Sequence, residues 1–341
     1  MQKKLIITGG GTAGHVIPCI AVAERLPGWE IHYIGRREGI ERELAEKYDI
    51  LYHGIDCPRF VRNKPWTIFG VPFKLLAAKK QAKKLLEEIK PNVIFSKGGY
   101  VSLPVTLAAK NIPVVLHESD MSFGLANRLV LKKCHTVCSS FRMNRPNVIC
   151  TGSPLKKSVY EGSRSEALSL CGFSGSKPVL LITGGSLGAK PLNDALDKSL
   201  DGLIPRFDII HITGRGKKRT ERKGYYPVEF TDRIHSFMAI ADYAVSRGGG
   251  NTIFELAALG VPTVIVPLPK GASRGDQIEN AEYFASKNYA VYIPQDKLEK
   301  DGMSAAINTL IKQKQKIQKA LAGGSFDGSE EIAKIIRNAA K

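Results

Sequence analysis

Gly9, Gly11 and Gly14 stand in the spacing G-x-G-x-x-G, directly after the apolar run "KLIIT" (4–8). Glycines so placed let the backbone turn tightly and approach a phosphate, and the helix that follows supplies unpaired N–H groups and partial positive charge. A second run, "LLITGGSLGA" (180–189), again takes an apolar strand into a Thr-Gly-Gly turn, and Ser186 adds a hydroxyl able to contact phosphate. A third, "SKGGYVSLP" (96–104), also follows a strand. Any one of these could be a tight strand-to-helix turn with no ligand; three on parallel strands point to anion handling. A fourth segment, "SRGGGNTIFELAALGVPTVIVPLP" (246–269), passes from small residues to Asn251, Thr252 and Glu255. A carboxylate in a first helical turn can accept both hydroxyls of a ribose while N–H groups nearby bind phosphate, although the helix dipole alone also favours an acid there.

The first turn invites comparison with dinucleotide-binding oxidoreductases. A nicotinamide dinucleotide site needs an acidic residue at the end of the second strand, whereas "IHYIG" (31–35) runs into Arg36 and Arg37, a pair suited to the phosphorylated cofactor. No G-x-x-x-x-G-K-[ST] occurs, which disfavours a nucleotide-hydrolysing P-loop. Cys134 and Cys138 flank His135 without a second ligand pair, so the six cysteines read as reduced thiols rather than a zinc site. Fifty Lys and Arg against 32 Asp and Glu give a formal net charge of +18, which favours an anionic partner: nucleic acid, anionic lipid or a phosphorylated substrate. The base-reading motif or stacking aromatics of a nucleic-acid binder are missing from the sequence.

Short β-branched runs alternate with helical periods, the pattern of parallel βαβ units. Strands are predicted at 4–8, 30–35, 50–55, 92–97, 113–118, 136–140 and 147–152, and again at 178–184, 207–214, 243–248, 262–268 and 290–295; helices include 73–89 and 276–288. The polar stretch "TGSPLKKSVYEGS" (151–163) marks a boundary. We therefore expect an α/β protein of two Rossmann-like, doubly wound parallel-sheet domains facing a cleft, residues 1–155 and 156–327, with ligand sites at the carboxyl ends of the strands. The last amphipathic helix, 328–341, either closes the second domain or packs back on the first. No run reaches the roughly 18 apolar residues of a spanning helix, and the apolar run in "MQKKLIITGGG" is too short for a secretory leader. A cytoplasmic, reducing setting is expected.

Six ordered motifs are spaced along the chain from residue 8 to residue 281: "TGGGTAGHVIP" (8–18), "SKGGYVSLP" (96–104), "HESDMSFGLANR" (117–128), "TGGSLGA" (183–189), "RGGGNTIFELAALGVPTVIVP" (247–267) and "DQIENA" (276–281). Together they resemble the MurG family of bacterial peptidoglycan glycosyltransferases. The resemblance implies the two-domain GT-B fold and transfer of N-acetylglucosamine from UDP-N-acetylglucosamine to the C4 hydroxyl of lipid-linked N-acetylmuramyl pentapeptide (lipid I), with inversion, to give lipid II. It implies that the first domain carries the acceptor and the second the nucleotide sugar. Gly10, Gly11, Gly98, Gly99 and Tyr100 would hold the acceptor's pyrophosphate. Thr12, Ala13 and Gly14 would approach the donor sugar, and Ser186 the diphosphate. Gly250, Asn251, Thr252, Ile253 and Phe254 would take uridine and phosphate, Glu255 the ribose, and Gln277 the sugar hydroxyls, with Asn280 one helical turn on. Asp120 stands where some members carry asparagine, and Lys156 where arginine is frequent; both are donor contacts by resemblance, though lysine lacks the bidentate fork.

His15 matches the family's histidine where acceptor hydroxyl and anomeric carbon meet, and an imidazole titrating near about 6.5 suits a general base. Glu118 is a rival base or a partner for His15. The sequence has no Asp-x-Asp pair, so backbone N–H groups, a helix dipole and Ser186 are expected to carry the leaving group's charge, with no metal or other cofactor. A lipid-linked acceptor implies peripheral attachment to the cytoplasmic face of the inner membrane, against anionic lipids. Residues 60–86 combine Trp66, Ile68, Phe69, Val71 and Phe73 with Arg62, Lys64, Lys74, Lys79, Lys80, Lys83 and Lys84, an interfacial composition. Leu75, Leu76, Leu85 and Leu86 are assigned to the core.

Overall fold

The computed structural model describes residues 2–57, 71–185 and 188–341. The chain divides into two compact units, residues 1–156 with 327–341, and residues 157–326.

The first unit's described strands are β1 (Lys4–Gly9), β2 (Glu30–Arg36), β3 (Leu51–Ile55), β4 (Val93–Gly98), β5 (Val114–Glu118), β6 (Thr136–Ser139) and β7 (Val148–Cys150). They form one parallel sheet in the order β3-β2-β1-β4-β5-β6-β7. Its helices are α1 (Ala13–Ala23), α2 (Ile40–Lys47), α3 (Val71–Ile89), α4 (Ser102–Ala108) and α5 (Leu125–Val130). A parallel sheet is covered on both faces, so its strands read as continuous apolar runs. In β1, Leu5 and Ile7 pack with Val16, Cys19 and Ile20 of α1, while Ile6 packs with Ala82 and Leu86 of α3.

The C-terminal helix, Ser329–Ala339, belongs to this first unit and places Ile332, Ala333 and Ile336 in the α1 layer. Ser329 ties it down: its hydroxyl donates to the Leu155 carbonyl at 2.7 Å and accepts from the Leu155 N–H at 2.8 Å.

The second unit holds β8 (Val179–Thr183), β9 (Asp208–Ile212), β10 (Tyr225–Val228), β11 (Tyr243–Ser246), β12 (Thr263–Ile265) and β13 (Val291–Tyr292), parallel in the order β10-β9-β8-β11-β12-β13. Its helices are α6 (Arg164–Cys171), α7 (Lys190–Leu203), α8 (Ile234–Ile240), α9 (Gly250–Ala258), α10 (Asp276–Ser286), α11 (Gln295–Asp301) and α12 (Met303–Ala322). Two strands differ from expectation. β10, "YYPV", was not predicted: it is short and contains Pro227, which is tolerated because the strand lies at a sheet edge. β12 ends at Ile265 rather than 268, because the carbonyls of Val266 and Pro267 accept from the Arg247 guanidinium at 3.1 Å each.

In both sheets the strand order reverses beside the first strand of the unit, between β1 and β4 and between β8 and β11. Such switch points are where doubly wound sheets bind ligands. The glycine turns follow these four strands.

Candidate functional site

In the first unit the turns after β1 and β4 interleave. Gly9 pairs in register with Gly98, and Gly99 adopts φ +82°, where a Cβ would lie 2.8 Å from the Gly10 carbonyl oxygen and 3.7 Å from Nε2 of His15. Only glycine permits that approach. Tyr100 lies against Gly11, and its hydroxyl is hydrogen-bonded to Arg36, which raises the guanidinium's pKa. Gly10, Gly11, Gly98, Gly99 and Tyr100 are thus brought together.

His15 sits at the edge of this group, in the first turn of α1. Its Nδ1 is 3.1 Å from the Thr12 hydroxyl. Thr12 is the N-cap of α1 yet makes no side-chain cap bond. A threonine there ordinarily bonds to the helix backbone; here its hydroxyl is turned to the imidazole. Nδ1 is thus engaged by Thr12, and Nε2 is the ring nitrogen on the side of Gly99. Ala13 and Gly14 complete the opening of the helix.

Glu118 has a different task from the one expected. Its Oε1 accepts from the N–H groups of Ser119 and Asp120 at 2.9 and 3.3 Å, and its Oε2 from Gly124 N–H and Asn127 Nδ2 at 3.0 and 2.8 Å. Both oxygens are filled from one loop, so Glu118 organises that loop and is neither a base nor the partner of His15. Lys156 is engaged inside the first unit: its ammonium bonds to the Tyr48 hydroxyl and lies 4.4 Å from the ring centroid. Arg37 binds Asp56 through two bonds of 3.0 and 3.3 Å. With Arg36 on Tyr100, the pair that suggested a dinucleotide phosphate is committed to the protein.

Lys97 was missed. It is 2% exposed near the end of β4, its ammonium bonded to the Ser119 hydroxyl. Burial pulls its pKa down, while the negative charge of Glu118 opposes that fall. The available signal was a lysine inside the apolar strand "NVIFSKG", since a buried lysine needs partners.

In the second unit, Thr183 ends β8 and its hydroxyl accepts from Gly185 N–H at 3.3 Å. Gly188, at φ +66°, brings the turn so close to β9 that a Cβ would lie 2.0 Å from the Thr213 carbonyl oxygen. Asn193 of α7 donates to the same carbonyl through Nδ2 at 2.9 Å, and its Oδ1 accepts from His211 Nε2 at 3.0 Å; burial pushes the His211 pKa down to about 4. Ser186 lies outside the described residues.

The turn after β11 is braced from below. Arg247, 7% exposed, binds Gln295 Oε1 at 2.9 Å in addition to the two carbonyls of the β12 end. Asn280 is fully buried and donates to the Gly248 carbonyl at 3.0 Å, so it shapes the loop rather than meeting a ligand. Gln277 accepts from Leu268 N–H at 3.1 Å through its amide oxygen. Gly249 caps α9, whose first residues are Gly250, Asn251 and Thr252. Ile253 and Phe254 are 2% and 3% exposed, and the Phe254 ring stacks edge-on against Phe284 at 5.3 Å; their side chains belong to the core, which leaves backbone N–H groups as this segment's offer to a ligand. Glu255 is half-buried in the second turn of α9, not the first. The dipole therefore explains it less well.

The surface of the first unit departs from expectation at Leu76, which is 63% exposed beside Phe73 at 76%. The two are one turn apart on α3, whereas Leu86 is buried as expected. Lys80, Lys83 and Lys84 are exposed and Lys79 half-buried. A second exposed apolar pair, Leu125 at 66% and Leu129 at 60%, stands on α5, and α4 packs against both α3 and α5. Trp66 and Phe69 lie outside the described residues. Among the described residues no helix is long and apolar enough to cross a membrane.

Residues 5–139 match the glycosyltransferase family 28 N-terminal domain, and residues 179–336 match the glycosyltransferase family 28 C-terminal domain. The chain is 42% identical over 349 residues to the UDP-N-acetylglucosamine--N-acetylmuramyl-(pentapeptide) pyrophosphoryl-undecaprenol N-acetylglucosamine transferase of Lachnoclostridium phytofermentans, covering 98% of both chains. It is 40% identical to the protein of the same name from Geobacillus thermodenitrificans, covering all of both. Among solved structures it is similar to Acinetobacter baumannii MurG, with a TM-score of 0.77 at 25% identity over 98% of this chain and 99% of that one. The glycotransferase of kitacinnamycin shares the fold, with a TM-score of 0.73 at 14% identity over the full length of both chains.

Proposed function

This chain belongs to glycosyltransferase family 28, and from that membership we propose that it moves N-acetylglucosamine from UDP-N-acetylglucosamine to the C4 hydroxyl of lipid I, forming lipid II. The full-length identity to transferases of that name carries the reading. The glycine turns at both switch points support it, because each of the two substrates brings a diphosphate.

The first unit takes the acceptor. Its pyrophosphate rests on the interleaved turns of Gly10, Gly11, Gly98, Gly99 and Tyr100, and its C4 hydroxyl gives a proton to Nε2 of His15. The second unit takes the donor. N–H groups of the β8 turn and of the α9 N-terminus receive the diphosphate, Glu255 accepts the ribose hydroxyls, and Gln277 reads the sugar. The C4 oxygen attacks the anomeric carbon as the bond to the β-phosphate breaks; UDP leaves with the electron pair and the configuration inverts. Preorganised N–H dipoles stabilise the departing charge without a metal.

The test is transfer of radiolabelled sugar to a soluble lipid I analogue, with and without EDTA. Transfer is expected in both. Activity lost to EDTA and restored by magnesium would refute the metal-free mechanism, and UDP release without product would refute the acceptor.

The enzyme works at the cytoplasmic face of the membrane as a peripheral protein. Exposed Phe73 and Leu76 beside the α3 lysines support this, and Leu125 and Leu129 of α5, next to Arg128, Lys132 and Lys133, add apolar and basic groups. Each basic residue near an anionic leaflet contributes about 1 kcal/mol. Reversing Lys79, Lys80, Lys83 and Lys84 to glutamate is expected to weaken binding to anionic vesicles by at least about 100-fold, as read by vesicle sedimentation. Unchanged binding sinks the assignment.

A further inference from the structure

We propose that His211 is the positioning residue of the donor site: through Asn193 it fixes the Thr213 carbonyl against which Gly188 closes the turn after β8, and so sets the N-terminus of α7 that receives the diphosphate. This deepens the donor reading of the second unit and rests on it. His211 of β9 is fully buried, and Asn193 and Tyr225 are each 2% exposed; a side chain with no open surface acts on a substrate only through others. The partners dictate a direction. Asn193 Nδ2 donates to the Thr213 carbonyl at 2.9 Å, which turns Oδ1 toward the imidazole. An amide oxygen only accepts, so the contact of 3.0 Å makes His211 Nε2 the protonated nitrogen. Nδ1 of the neutral ring then accepts, and the Tyr225 hydroxyl donates to it at 2.9 Å. Tyr225, His211, Asn193 and Thr213 thus form one chain of hydrogen bonds with a single sense, running from β10 through β9 to α7. A buried imidazole is costly unless its nitrogens are bonded; a leucine would have filled the same core without orienting Asn193.

The chain ends where the turn is tightest. A Cβ on Gly188 would lie 2.0 Å from the Thr213 oxygen and 2.8 Å from the Gly214 Cα, so the position of that carbonyl decides where Gly188 can sit. Gly188 N–H donates to the Gly185 carbonyl at 2.9 Å and Asn193 N–H to the Ala189 carbonyl at 3.0 Å, which ties the glycine turn and the first turn of α7 to the same backbone. Ala189 caps α7 without a side-chain bond. The aim of the helix's N-terminal N–H groups is therefore left to what Thr213 and Asn193 hold.

A double-mutant cycle tests this. His211→Phe, Asn193→Leu and the pair are compared by calorimetric titration with UDP, by KM for UDP-N-acetylglucosamine and for the lipid I analogue, and by denaturant unfolding, with binding and kinetics read where each variant is folded. Each single variant is expected to weaken UDP binding about tenfold, the worth of one lost orienting hydrogen bond. The pair is expected to lose about tenfold and no more, because the two side chains act in series, with acceptor KM constant throughout. Tyr225→Phe spares the bond to Asn193 and weakens UDP binding by less than about threefold. Ring-nitrogen NMR of isotope-labelled histidine in the wild-type protein at neutral pH is expected to show His211 neutral, with its proton on Nε2; this needs no variant and decides the direction of the chain even where a substitution unfolds the protein. A proton on Nδ1 or a charged ring overturns the proposal. So do losses that multiply in the double variant, losses confined to unfolding while UDP affinity is kept, or an equal rise in acceptor KM. Wild-type protein that does not bind UDP means that the donor reading itself has failed and takes this proposal with it, whereas wild-type binding that both single variants keep overturns the proposal alone.

Discussion

Alanine at position 15 is expected to lower kcat by roughly 10²–10⁴-fold, the range for a lost general base, while UDP-N-acetylglucosamine binding is unchanged. A sugar hydroxyl is a poor nucleophile until its proton is being taken, and Nε2 of His15 is the basic atom facing the interleaved turns. Thr12→Val asks the same question from the other side of the ring. Thr12 makes no cap bond to α1, so its loss costs the helix little, but it frees Nδ1 from the hydroxyl 3.1 Å away. About a tenfold fall in kcat is expected, the worth of one orienting hydrogen bond. Equal losses of turnover and donor binding in His15→Ala would return the histidine to a structural role.

Gly99→Ala is expected to cost the first unit about 3 kcal/mol of stability and to abolish acceptor turnover. Two penalties coincide. At φ +82° a side chain is strained in any surroundings, and the new Cβ would stand 2.8 Å from the backbone oxygen of Gly10, which has no rotamer to move away. The turns after β1 and β4 must then separate, carrying the pyrophosphate site apart. Gly249→Ala makes the opposite comparison. Its φ is −70° and nothing lies within 4 Å of its added methyl, so the fold is kept and any deficit should appear in donor binding at the α9 N-terminus. Thermal unfolding with separate donor and acceptor titrations distinguishes the two. A Gly99→Ala protein of wild-type stability and acceptor KM would mean that the interleaving does not hold the site.

The fold was legible because parallel strands covered on both faces are written as unbroken β-branched runs, and twelve of the described strands, β1 to β9 and β11 to β13, overlap predicted runs. β10 was hidden by its length and its proline. The turns were legible because glycine at a switch point has few uses besides close backbone approach. What could not be read was the direction in which side chains point. Glu118, Phe254 and Asn280 carry chemistry-bearing or ligand-like positions in a motif, yet the first feeds a loop, the second fills the core and the third braces Gly248. Lys97 was the converse: an ordinary letter in a strand whose significance comes only from burial and from Ser119, 22 residues away.

The C-terminal helix has a consequence for biosynthesis. Domains usually fold in the order in which they emerge from the ribosome, but the first unit here is interrupted at residue 156 and completed only from residue 327. Ile332, Ala333 and Ile336 fill its core from residues made after the whole of the second unit. The second unit is contiguous, and all of it precedes the helix that completes the first. The nascent amino-terminal sheet must meanwhile wait with one apolar layer open, the interval in which a chaperone or the membrane surface has most to gain from binding it.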